Sequence, residues 1–61
     1  MANLTATELK ALEDQLNSEQ LMIKKFHSYA GIAQDQMIKD TCTQIANQHR
    51  KHFDALMGYL N

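Results

Sequence analysis

Apolar residues recur along the first half of the chain at alternating steps of three and four: Leu9, Leu12, Leu16, Ile23, Phe26 and Ala30, with Glu19 the one charged member of the series. This is the period of an amphipathic helix seam, and Met22 and Tyr29 widen it on one side. A specific start precedes it. In Thr5-Ala6-Thr7-Glu8 the Thr5 hydroxyl can accept from the Glu8 amide while the Glu8 carboxylate reaches back to the Thr5 amide. Leu4 and Leu9 flank this capping box as the two ends of a hydrophobic staple, after a short lead-in from Met1. Gly31 then reads as a left-handed residue just past the helix end, with Ile32 making the accompanying apolar contact. The pattern predicts a helix over 6–30.

After a turn over 31–35, Asp35 is a good N-cap for a second helix over 36–59. Counted back from Tyr59 and Leu56, its seam runs through His52, His49, Ile45, Cys42 and Ile38, so two histidines hold positions that ask for hydrophobes. The chain has no proline. Two matched helices of roughly 24 residues, each about 36 Å long, joined by a short connection predict an antiparallel hairpin, a single all-α domain over 1–61. Each stripe is wider than one neighbouring helix can cover. The expected unit is therefore a homodimer, two hairpins forming a four-helix bundle.

Composition sharpens this picture. A chain of 61 residues buries only about 60% of the surface its unfolded form exposes, and with Cys42 its single cysteine no disulfide within the chain can supplement so small a core. Six Lys and Arg against seven Asp and Glu, a net charge of −1, create no field for nucleic acid. No apolar run exceeds three residues, as in Leu21-Met22-Ile23 and Ala55-Leu56-Met57, too short for a membrane span or a signal-peptide core. The expectation is a protein kept inside the cell that makes it and not secreted by a signal peptide. Cys42 reads as a small buried hydrophobe, His27 as a surface histidine, Lys24-Lys25 and Arg50-Lys51 as solvated faces, and Tyr29 and Tyr59 as core-edge residues.

The candidate chemistry lies in the polar exceptions. With the hairpin centred near residue 33, His49 stands within about 3 Å of the axial level of Glu19, and His52 follows at i+3 on the same face. Glu19, His49 and His52 thus converge on one layer, twice over in a dimer. Two readings of that layer stand side by side. One is a hydrogen-bond network that fixes register and partner; the other is an inter-subunit site for a divalent transition metal. No nucleophile with a base, phosphate loop or Cys-x-x-Cys is present, so no enzyme is expected.

From about Leu12 to Leu60 the chain resembles the coat F-like, spore-coat-type members of the ferritin-like bundles. The resemblance is carried by Glu19-Gln20-Leu21-Met22-Ile23-Lys24-Lys25-Phe26 with Tyr29-Ala30, by Asp35 and Lys39, by Ile45-Ala46-Asn47-Gln48-His49, and by Leu56-Met57-Gly58-Tyr59-Leu60. It implies a helical bundle of endospore-forming bacteria, a structural coat component in the cytoplasm or the spore coat with other coat proteins as further partners, and distant kinship to two-metal bundles. Those bundles take a Glu from each of two helices and a Glu-x-x-His from each of the other two. Glu19 matches the first Glu and His52 the final His, but His49 stands where the second Glu belongs. A dimer layer would then hold two carboxylates rather than four, which favours a nitrogen-tolerant ion such as zinc over iron and argues against di-iron oxidase or ferroxidase chemistry.

Overall fold

The computed structural model describes residues 3–60; Met1 and Ala2, part of the expected lead-in, and Asn61 lie outside the described residues. Helix α1 spans Ala6–Ile32 and helix α2 spans Gln36–Met57, followed by a single 3-10 turn, Gly58–Leu60. The two helices pack side by side as an antiparallel hairpin measuring 46 × 15 × 11 Å. None of the described helices is long and apolar enough to cross a membrane.

Both helix starts follow from their sequences. Thr5 accepts from the Glu8 amide at 3.1 Å, and its own amide donates to the Glu8 carboxylate at 2.9 Å, so the box is closed in both directions. Asp35 accepts from the Ile38 amide at 3.0 Å. Each cap satisfies an amide that the first turn of a helix leaves without a partner.

The end of α1 differs from the expectation. Gly31 is helical, no described residue has a positive φ, and the cap is Ala33 in an extended conformation with its amide donating to the Tyr29 carbonyl. Ile32 is 77% exposed and makes no closing contact. The reason is a lysine from the other helix: Lys39 Nζ donates to the Ala30 carbonyl at 3.0 Å. It satisfies one of the last carbonyls of α1, which have no partner within the helix, and it brings positive charge to a helix end that has no basic residue of its own.

On α1 the expected seam faces inward, with Leu16, Glu19 and Ile23 buried and Leu12, Phe26 and Ala30 half-buried. The α2 seam is rotated from its expected phase. Cys42 is buried and Ile45, His49 and Leu56 are half-buried, as expected, but Ala46 is fully buried and Phe53 half-buried between them, while Ile38 and Tyr59 are each 55% exposed. A series Cys42, Ala46, His49, Phe53, Leu56 obeys the same three-four alternation. Ala46, with no exposed surface, sits at the most enclosed point of the seam.

Candidate metal centre

Glu19 is the central residue of α1 (Ala6–Ile32) and the one charged residue buried among the described residues, 6% exposed. It is held from three directions. His49 Nδ1 is hydrogen-bonded to Oε1, Gln15 Nε2 donates to Oε2 at 3.3 Å from one turn earlier on the same helix, and His52 Nδ1 lies 3.4 Å from Oε2. The structure thus brings together all three residues singled out from the sequence. One nitrogen or oxygen from each lies within 4.8 Å of the others, the one such group of three among the described residues.

The three differ in exposure. The His49 side chain is 27% exposed and that of His52 62%, because the rotated phase of α2 turns His49 inward and leaves His52 at the rim. His49 is further fixed by Phe26, whose ring stacks on the imidazole at 6.3 Å and 17°. The two imidazoles stand perpendicular to each other, 5.8 Å apart. Gln15 and Phe26 are the contributors that sequence reasoning missed; Gln15 is recognisable as the i−4 neighbour of Glu19, Phe26 as a seam residue with no polar signal. His27 is exposed, as expected, and outside the cluster. Cys42 is a buried free thiol that is no member of it.

The His49 hydrogen bond holds the Glu19 carboxyl below the ordinary glutamate value of 4.5; burial opposes this, and the Gln15 hydrogen bond and the charges of His49 and His52 add to the lowering. A carboxylate whose folded pKa is depressed contributes stability that is present above its unfolded pKa and lost as pH falls through the folded value. Stability should therefore decline on acidification from about pH 4.5 downward. Glu8, lowered by its bonds to Thr5, contributes to the same slope. Urea melts at pH 5 and pH 3 of the parent, Glu19→Gln and Glu8→Gln separate the two. An unchanged pH slope in Glu19→Gln would contradict the assignment.

No known protein family, curated protein or solved structure matches the chain. The geometry of the hairpin is therefore what bears on function.

Proposed function

We propose that the chain is a self-associating structural protein, a hairpin that pairs with a second copy into a four-helix bundle of the kind used as a spore-coat component. The observation that carries this reading is surface area. A compact monomer of this mass exposes about 4000 Å², whereas the hairpin exposes 4734 Å². The excess, about 700 Å², is close to the roughly 800 Å² each partner contributes to a standard stable interface.

Part of the exposed apolar surface is organised into one face. Ile38, Ile45, His52 and Tyr59, seven residues apart, form a stripe along α2 just outside its buried seam, and Met22 and Tyr29 form the matching stripe on α1. Tyr59 shares an apolar hollow at the open end of the hairpin with Glu8 and Gln15, which continue the line of Met22 and Tyr29 at seven-residue steps, so both stripes lie on the same face. Tyr29, Ile38 and Tyr59 on that face are 43%, 55% and 55% exposed. A second copy docked there by a two-fold axis at mid-height would set the two Glu19 layers level with each other, since Glu19 is central in its helix.

Light scattering at low micromolar concentration tests the pairing. The expected result is twice the 7.0 kDa chain mass and a melting temperature that rises with protein concentration. A monomer that melts cooperatively at one temperature across a hundredfold concentration range would overturn it. Localisation of a tagged chain in sporulating cells tests the coat role separately, and a signal confined to the mother-cell cytoplasm would count against it.

A further inference from the structure

We propose that each hairpin binds one divalent transition-metal ion, zinc by its donor preference, through Glu19, His49 and His52 of a single chain, with a fourth coordination place open on the His52 side. This goes beyond self-association and does not depend on it, because all three donors lie on one chain. It also differs from the inter-subunit site expected from the sequence, because no donor comes from a second copy.

The geometry is that of a small-ion site with its supports in place. In tetrahedral zinc coordination, with bonds of about 2.0–2.1 Å, neighbouring donor atoms stand about 3.3 Å apart. His52 Nδ1 and Glu19 Oε2 already stand 3.4 Å apart, and all three donors fall within 4.8 Å. Both imidazoles turn Nδ1 toward the same carboxylate, so an ion between them takes the place of the Nδ1 protons, with each imidazole neutral and its remaining proton on Nε2. Gln15 on Oε2 and Phe26 against the His49 ring restrain the ligands as neighbours of a metal centre do.

The donor set selects the ion. Two imidazole nitrogens and one carboxylate suit zinc and its transition-metal neighbours, whereas magnesium and calcium require shells of oxygen. Three protein ligands leave one place of a tetrahedron, which is the form of zinc sites that keep a bound water. In the single hairpin the His52 side chain is 62% exposed, which gives the ion its route in before pairing and turns the open position toward the face on which a second copy would dock.

The test uses the whole chain, stripped of metal by chelator. Isothermal titration with zinc should give one ion per chain, and cobalt(II) in its place should give the intense visible absorption of four-coordinate cobalt. His52→Gln is the decisive variant, because its exposed side chain can be changed without loss of the fold, as circular dichroism would verify. It should weaken zinc binding more than about 100-fold, beyond the cost of losing a group that merely supports a ligand, while His27→Gln binds as the parent does. Zinc binding retained within tenfold in His52→Gln, one ion per two chains, or the weak spectrum of six-coordinate cobalt would each overturn the proposal. Sizing the same samples keeps the two readings apart: a monomer that binds one zinc refutes the dimer alone, and a dimer that binds none refutes the metal site alone.

Discussion

Replacing Leu16 by alanine should leave most of the chain unfolded at room temperature and low micromolar concentration. Leu16 is 8% exposed, and the other buried hydrophobic residues are Ile23, Cys42 and Ala46, with no large side chain fully enclosed. Removing a buried leucine side chain costs about 2–5 kcal/mol, depending on how far its surroundings collapse. A core in a chain of this length supplies no more than about 3–5 kcal/mol. The substitution therefore takes nearly all of the margin. Leu21 is the control, 64% exposed on the opposite side of α1, where truncation to alanine should stay within about 0.5 kcal/mol. Far-UV circular dichroism with urea melts reads both. If Leu16→Ala kept its helix content and its midpoint, the seam between α1 and α2 would not be what holds the hairpin together.

The hairpin itself was legible because its determinants are local. Thr5-Ala6-Thr7-Glu8 and Asp35 act over one helical turn, and both caps form as their residues dictate. Glu19 and His49 were placed opposite each other by counting outward from the turn, which needs only the rise per residue. The phase of α2 was less legible, since two series with the same alternation share Cys42, His49 and Leu56. Hydropathy favours the one through Ile45 and His52. Packing favours the one through Ala46 and Phe53, because two helices lying close need a small residue at the point of contact, and no count of apolar residues registers that. Gly31 misled for a related reason: glycine permits a left-handed cap but does not require one, and Lys39, nine positions later, satisfies the Ala30 carbonyl. The exposure of His52 follows from the same rotation, which leaves one inner and one rim histidine where the sequence suggested two facing inward.

Single and combined replacement of the polar layer should move stability in opposite directions in metal-free protein. In His49→Leu the buried Glu19 carboxylate loses its principal partner, and the melting temperature should fall by roughly 5–10 °C at fixed protein concentration. In the triple variant Glu19→Leu, His49→Leu, His52→Leu no charge is left to desolvate, and the midpoint should return to the parent value or exceed it, as happens when buried ion pairs are exchanged for packed hydrophobes. The pH dependence gives a second, independent readout. With His49 gone, the largest influence lowering the Glu19 carboxyl is removed, while burial, which raises it, stays. The His49→Leu protein should consequently lose less stability than the parent as the pH is lowered through the Glu19 titration, a shallower slope over the same window. Thermal melts of the parent, single and triple variants at pH 7 and pH 4 contain both comparisons. A single variant that melts with the parent at both values would show that Glu19 finds water as good a partner as His49, and the layer would then be a surface feature with no hold on the fold.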